Sequence, residues 1–214
     1  MNLQNGKILN KIREEKPMKR LSLYLFLILF TLQTPSLADD IRDLQIEGMS
    51  IGNSALDYFN KKEIKKFLKT YYPKSKKFYG SENESTKYET YDGVQFTFKK
   101  KDKTYEIYGL SGYIFFDSSI KECLSKKDEI EKELKSIFER SEIRRYDEGN
   151  LPEDTSGKSK QWQTQYLLTN NGGTISIECN DWSEKFTSKH GYTDNLSISI
   201  YSKEFENFIK YEAF

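Results

Sequence analysis

Residues 162–179 read Trp-Gln-Thr-Gln-Tyr-Leu-Leu-Thr-Asn-Asn-Gly-Gly-Thr-Ile-Ser-Ile-Glu-Cys. Apolar residues alternate with polar ones on both sides of the Asn-Gly pair: Trp162, Tyr166 and Leu168 before it, and Ile175, Ile177 and Cys179 after it. Alternation with a period of two is typical of a strand with one buried face. An Asn-Gly pair tolerates the positive φ angles of a type I′ turn, which joins antiparallel strands tightly. The stretch therefore predicts a β-hairpin.

Further strands are predicted on both sides of this hairpin. The same alternation occurs in two other places: Val94, Phe96 and Phe98, and Leu196, Ile198 and Ile200. A short strand is expected at 78–79, and two short runs within 105–116 change their buried face near Gly109, as at a β-bulge. The polar stretches 141–160 and 180–195 are expected to be long loops.

Three helices are predicted from apolar spacing and capping residues. The clearest covers 119–138, where apolar side chains recur every three or four positions. An earlier helix starts at Ser54, with a second capping pattern at Asn60, and ends before Pro73. A closing helix is capped by Ser202.

The predicted order of elements is α-ββ(β)-α-βββ-α. Because hairpins dominate it, we expect an α+β fold, in which a mainly antiparallel sheet carries its helices on one face. Both halves run from a helix into hairpins, which hints at a duplication, although no repeat is visible at the level of residues.

The composition bounds the functional classes. The chain has 214 residues, 31% of them charged, with a formal net charge of +1. The basic runs 74–77 and 99–103 therefore predict solvated faces and turns, and a nucleic-acid partner is not expected. One His and two Cys are too few for most clustered metal sites, so we expect neither a metal nor a cofactor.

Residues 1–38 predict a secretory signal peptide. Lys19 and Arg20 precede the apolar run 21–32, and Ser36 and Ala38 place small residues at the cleavage-site positions. The apolar run has 12 residues, whereas a membrane span needs about 20. We expect cleavage after Ala38, no membrane span in the product, and a single domain over 39–214 in the periplasm or outside the cell.

Cys123 and Cys179 are predicted to form a disulfide. Cys123 lies on the apolar stripe of the helix at 119–138, and Cys179 lies on the apolar face of a strand, so both side chains point inward. Disulfides persist in the oxidising compartments that exported proteins reach. Two buried free thiols are the alternative, and the wide spacing argues against a redox-active CxxC pair.

No catalytic residue is assigned from the sequence. The chain lacks GxSxG, HExxH and GxxxxGK[ST], and His190 is its only histidine. Carboxylates in loops are the groups that a hydrolase would use here: Asp39, Asp40, Asp181, Glu184 and Asp194. In a chain so rich in acids, neighbouring carboxylates also arise by chance.

The stretch 180–195 is the richest in residues that contact ligands or partners. Trp182 and Tyr192 are expected in a loop with Asp181 and His190, and aromatic residues on loops often anchor ligands. These four residues are the candidate binding set. The competing interpretation, favoured by the average burial of tryptophan, is that Trp182 folds back to cap the core.

Several runs carry a family resemblance: Ile46-Glu47-Gly48-Met49-Ser50, Thr90-Tyr91-Asp92-Gly93, Ser111-Gly112-Tyr113-Ile114, Cys179-Asn180-Asp181-Trp182-Ser183 and Tyr192-Thr193-Asp194-Asn195. They resemble stretches of small, exported, signal-peptide-bearing proteins of marine alphaproteobacteria. The resemblance implies export and the cysteine pair, and it implies no activity. A looser likeness of 48–56 to small outer-membrane-assembly lipoproteins lacks their lipid-bearing cysteine.

The sequence therefore favours an exported, non-catalytic protein that binds a small molecule or an envelope protein through the stretches 141–160 and 180–195. One alternative is an envelope assembly protein that adds a strand at an exposed sheet edge. Another is a hydrolase that uses the loop carboxylates. The pattern does not specify an oligomeric state.

The export prediction is tested by the intact mass and N-terminal sequence of the protein purified from its own cells. We expect Asp39 at the N-terminus and a mature chain with 28 basic and 31 acidic residues. We also expect no peptide from 1–17, because a start at Met18 gives a complete signal peptide without Glu14 and Glu15. An uncleaved chain contradicts the first expectation, and any peptide from 1–17 contradicts the second.

Overall fold

The computed structural model describes residues 40–69, 72, 74–85, 88–116, 120–169 and 172–214. The predicted signal peptide at 1–38 lies outside the described residues, as do Asn170 and Asn171 of the predicted turn. No helix within the described residues is long and apolar enough to cross a membrane.

The described part of the chain contains eight strands and four α-helices. The strands are β1 (Leu68–Lys69), β2 (Phe78–Glu84), β3 (Gly93–Lys99), β4 (Gly109–Phe115), β5 (Glu142–Asn150), β6 (Lys160–Leu168), β7 (Gly173–Asp181) and β8 (Asn195–Ser202). The helices are α1 (Lys61–Lys66), α2 (Ile120–Ile137), α3 (Glu184–His190) and α4 (Lys203–Tyr211). The strands form one sheet in the order β1-β2-β3-β4-β8-β7-β6-β5, and every neighbouring pair in it is antiparallel. The predicted α+β class with a mainly antiparallel sheet is confirmed.

The sheet consists of two meanders of four strands each. Strands β1 to β4 follow one another, α2 then leads to β5 at the opposite edge, and β5 to β8 return until β8 pairs with β4. Each meander follows a helix, α1 or α2. The two halves therefore share a topology, which gives a structural basis to the hint of duplication.

The predicted hairpin is formed by β6 and β7. Trp162 lies opposite Cys179, and Tyr166 lies opposite Ile175. The apolar face of the sheet is formed here by Ile175, Ile177 and Cys179 together with the neighbouring residues of β8. Helix α2 and the segment 41–64 cover this face. Tyr166, Ile175, Ile177 and Cys179 are all fully buried on this face.

The Cys123–Cys179 disulfide is present and joins α2 to β7, with the two Cα atoms 5.9 Å apart. On the same side of the sheet, Glu131 of α2 accepts hydrogen bonds from Lys127, from Thr164 Oγ1 at 2.6 Å and from Arg145 Nε at 3.1 Å. Burial acts to raise the pKa of Glu131, but these donors outweigh it and the pKa lies below its ordinary value. The disulfide and this ion network together fasten α2 across β7, β6 and β5.

The expectation that all helices lie on one face is wrong for α4. A Cβ atom added at Gly109 would lie 2.7 Å from the ring of Phe205 on α4. Gly109 faces away from Leu110, which belongs to the apolar core, because successive residues of a strand point to opposite faces. Phe205 and Phe208 of α4 instead form a second aromatic cluster on the other face, together with Tyr72 and Phe78.

Three predicted boundaries are corrected by the structure. The expected loop 141–160 contains the strand β5, whose residues are exposed on both faces apart from the half-buried Ile143, so no alternation marks it. The expected loop 180–195 contains α3 and the end of β7. The first helix ends at Lys66, and Leu68 begins β1 instead. The capping box at Asn60 and Glu63 and the Ser202 cap of α4 are both present.

Loss of the disulfide is expected to lower the free energy of unfolding by about 4 kcal/mol in the chain-entropy model, because the two cysteines are separated by 56 residues. Urea unfolding with and without a reductant measures this difference. The double variant Cys123→Ser, Cys179→Ser is the control, and a reductant should not change its stability. Equal stability of the oxidised and reduced wild-type protein would contradict the prediction.

Candidate functional site

A cleft of about 670 Å³ lies on the face of the sheet opposite the apolar core. Its floor is built by side chains of β2, β3, β4, β6, β7 and β8, so it extends across most of the sheet. Leu151 and Glu153 contribute one wall, and Trp182 with the segment 190–193 contributes another. Tyr72 and Tyr201 mark the side towards α4. The cleft is thus the part of this face that α4 leaves uncovered.

Glu178 of β7 is a carboxylate of the floor that several side chains hold by hydrogen bonds. Its Oε1 accepts hydrogen bonds from Gln163 Nε2 at 2.6 Å and Ser176 Oγ at 2.8 Å. Its Oε2 accepts from Gln161 Nε2 at 3.2 Å and lies 3.5 Å from Ser197 Oγ. All of these donors are neutral, and no described lysine or arginine forms an ion pair with Glu178. A half-buried negative charge is therefore held in a fixed position without a counter-ion from the described chain.

Two tyrosines and several amides complete the floor. Tyr113 donates its hydroxyl proton to Gln95 Oε1, while Gln161 Nε2 also reaches Asn180 Oδ1 at 3.0 Å. Burial, followed by the effect of neighbouring groups including Glu178, raises the pKa of Tyr113 and that of Tyr201 well above the ordinary value. Both hydroxyl groups therefore stay neutral at physiological pH, so the floor offers donors and acceptors as well as negative charge.

One end of the cleft is formed by an aromatic cluster of Trp182, Phe186, His190 and Tyr192, which we call the aromatic rim. The ring centroids of Trp182 and Tyr192 are 4.5 Å apart, those of Trp182 and Phe186 are 5.2 Å apart, and those of Phe186 and His190 are 4.4 Å apart. Trp182 is only 8% exposed, whereas Tyr192 is 44% exposed. The indole Nε1 of Trp182 is buried and has no hydrogen-bond partner among the described residues. An unsatisfied buried donor of this kind costs free energy, which makes it unusual in a folded protein.

The structure brings three of the four candidate binding residues to the cleft. Trp182, His190 and Tyr192 line it, whereas Asp181 does not. Trp182 packs within the aromatic rim and is not part of either of the two main core clusters.

The loop carboxylates considered for a hydrolase do not meet in this cleft. Asp194 accepts a hydrogen bond from the backbone N–H of Trp182 at 2.6 Å, and burial raises the pKa of Asp194 with a further contribution from Asp181. Asp40 pairs with Arg42 at the start of the described chain. Glu184 is exposed on α3 and does not line the cleft. Asp39 lies outside the described residues.

The wall of the cleft at 151–159 is held in place by Asp154. The buried Asp154 carboxylate accepts hydrogen bonds from Ser159 Oγ at 2.6 Å, from Ser156 N at 3.0 Å and from Ser183 Oγ at 2.8 Å. These hydrogen bonds, of which that of Ser159 is the strongest influence, hold the pKa of Asp154 well below its ordinary value. Asp154 thus ties this loop to Ser183, the residue before α3.

The cleft is negatively charged. Its lining contains four glutamates, Glu82, Glu84, Glu153 and Glu178, against one lysine, Lys69, and one histidine, His190. With the histidine neutral, the formal charge of the lining is −3. Lys69 lies on the short edge strand β1, with its Nζ 3.8 Å from a carboxylate oxygen of Glu82.

In the described part of the chain, no group of three or more His, Cys, Asp or Glu side chains is arranged to hold a metal ion.

The floor of the cleft is not predicted from the sequence. Gln95, Tyr113, Gln161 and Glu178 occupy the positions that alternate with the apolar residues of their strands. Such positions usually point to solvent, so the alternation by itself does not separate a binding floor from an ordinary exposed face. A signal was available in β7 and β8, where Ser176, Ser197 and Ser199 replace the long charged side chains typical of an exposed face.

No protein-family model matches this sequence, and neither a curated protein nor a solved structure is significantly similar to it.

The Asp154→Asn substitution is expected to speed amide hydrogen exchange at Ser156 and Ser159, because their N–H groups donate to the charged carboxylate. Exchange at Ser183 is expected to rise as well, because its N–H donates to Ser159 Oγ, which itself donates to Asp154. The pKa of Asp154 in the folded protein lies below its ordinary value of 3.8. Its contribution to the free energy of unfolding is therefore present above pH 3.8 and is lost as the pH falls towards the folded pKa. Exchange measured by mass spectrometry at pH 6 tests the first point. Asp147→Asn, on the exposed strand β5, is the matched control, and equal exchange in both variants would contradict the role of Asp154.

Proposed function

We propose that this chain is an exported, non-catalytic binding protein, and that it holds a small polar molecule in the cleft on the polar face of the sheet. The observation that carries the proposal is Glu178, a half-buried carboxylate in the floor that neutral side chains hold in place without a counter-ion from the described chain. A bound molecule with a complementary group would compensate this charge. Export rests on the predicted signal peptide and is supported by the disulfide.

The size and lining of the cleft favour a polar ligand. Small-molecule sites typically enclose about 300 to 1,000 Å³, and this cleft falls within that range. Such sites are usually apolar with a few polar groups, whereas this floor is made of amides, hydroxyls and carboxylates. An apolar ligand would leave these groups without partners, and a polar ligand would not.

The same contacts favour binding over turnover. The hydrogen bonds to Glu178 and Asp154 order the floor and one wall before any ligand arrives, which reduces the entropy cost of binding. The carboxylates put forward for a hydrolase are dispersed, as Asp181 and Glu184 lie outside the cleft and Asp194 is bonded to the backbone.

Assembly through a sheet edge is the second candidate, and β5 is the feature that would support it. This nine-residue edge strand is exposed and pairs only with β6 within the described sheet. However, it carries five charged residues and a register shift between Tyr146 and Gly149. Charges and bulges on an edge strand discourage the addition of another strand, so the cleft is the better-supported site.

The proposal is tested by native mass spectrometry of the protein purified from its own cells, followed by binding assays with a panel of cationic, neutral and anionic polar compounds. Gln161→Trp is expected to fill part of the cleft, because it places a bulky side chain on the floor, and to weaken binding at least tenfold. Gln165→Trp is the matched control, because it lies on the same face of β6 but does not line the cleft.

A retained small molecule, or a panel compound whose binding is lost in Gln161→Trp and kept in Gln165→Trp, supports the proposal. The absence of both a retained molecule and any panel binding would overturn it. Equal binding by the two tryptophan variants would also overturn it, because the ligand would then bind elsewhere.

A further inference from the structure

The charge of the cleft is its most selective property. The lining carries four glutamates against one lysine, and that lysine lies near Glu82. An anionic ligand would meet repulsion from the floor, while a cation would be attracted to it. The mature chain also has a small excess of acids, 31 against 28 basic residues, so nothing in the overall balance reverses this local field.

Glu178 is placed to act as the counter-ion of a bound cation. It lies towards the β6 end of the floor, between β6 and β8, and its neutral donors hold it without neutralising it. Burying an uncompensated charge is costly, and the cost falls when an opposite charge arrives. A protonated amine, which donates several hydrogen bonds and carries one positive charge, matches this position.

The neutral polar groups of the lining add a second requirement. The floor is made of hydroxyl and amide groups, so the ligand must also present groups that donate and accept hydrogen bonds, such as hydroxyls. Tyr113, Gln95 and Asn180, which offer both donors and acceptors, are suited to further hydroxyl groups. The exposed ring of Tyr192 beside Trp182 provides an aromatic surface, which is also favourable next to a cation.

We propose that the cleft recognises a hydroxylated organic cation, an amine that also carries hydroxyl groups, with Glu178 as its counter-ion and the hydroxyl and amide groups of the floor as the partners of its oxygens. This inference rests on the proposed binding function and specifies its ligand class. Neutral polyols and polyamines without hydroxyl groups are the alternatives that the experiment separates.

The experiment uses one sugar ring in three charge states: glucosamine as the cation, glucose as the neutral compound and glucuronate as the anion. Putrescine tests whether charge alone is sufficient. Binding is followed in ¹⁵N-labelled full-length mature protein by the indole N–H signals of its two tryptophans. Trp162 packs against the apolar core and serves as an internal control, and Trp182→Phe assigns the signals.

We expect glucosamine to bind at least tenfold more tightly than glucose or glucuronate and to shift the Trp182 signal but not the Trp162 signal. Glu178→Gln should weaken glucosamine binding about tenfold, the usual effect of removing a charged hydrogen bond. Glu184→Gln removes the same charge outside the cleft and should change the affinity less than twofold. Higher salt should weaken binding in the wild type.

Equal affinity for glucose and glucosamine, or tighter binding of glucuronate, would overturn the cation while leaving the proposed binding function intact. Putrescine binding as tightly as glucosamine would overturn the hydroxyl requirement. If Glu178→Gln does not fold, the variant Glu153→Gln, in the wall of the cleft, replaces it. Unchanged glucosamine binding in that variant would overturn the claim that the negative charge of the lining attracts the ligand. If no panel compound binds and no molecule is retained, the proposed function itself fails.

Discussion

The structure depends on the opposite chemistry of the two faces of β7 and β8. Ile175, Ile177 and Cys179 point to one face, and Ser176, Glu178 and Asn180 point to the other. Successive side chains of a strand cannot point to the same face, so the core and the cleft are built from alternate residues of the same segments. A shift of one residue in the β7 register would exchange the two faces and would remove both core and cleft.

The contacts on the apolar face also position the cleft. The disulfide joins α2 to Cys179, which is the immediate neighbour of Glu178 and Asn180. The Lys127–Glu131–Thr164 network fixes β6 from the same side, directly behind Gln163. The floor of the cleft is therefore held from behind by a covalent bond and a buried ion network, while its own side chains face the cleft. Rigid support of this kind is what a preformed binding site requires.

Helix α4 divides the polar face into two regions. Phe205 and Phe208 cover one end and form an aromatic cluster with Tyr72 and Phe78. The other end stays open, because the chain enters α4 directly from β8 and the helix has only nine residues. Short side chains then decide the depth of the open region: Ser197 and Ser199 leave space where larger residues would fill it. The aromatic rim and the Asp154 loop raise its walls.

The sequence by itself determined the elements whose residues alternate or recur with a clear period. These are the β6–β7 hairpin, β3, β8 and α2, together with the pairing of Cys123 with Cys179, since each buries one apolar face and so leaves a pattern. It did not reveal β5, because an edge strand exposed on both faces has no apolar alternation. It also did not reveal that α4 lies opposite α2, or that Glu178, Tyr113 and Gln95 share one floor with Trp182. Those facts depend on the strand order β4-β8-β7-β6, which brings segments together that are distant in the sequence. Strands pair through backbone hydrogen bonds, which do not depend on the identity of the side chains, so no local pattern in the sequence predicts which strands become neighbours.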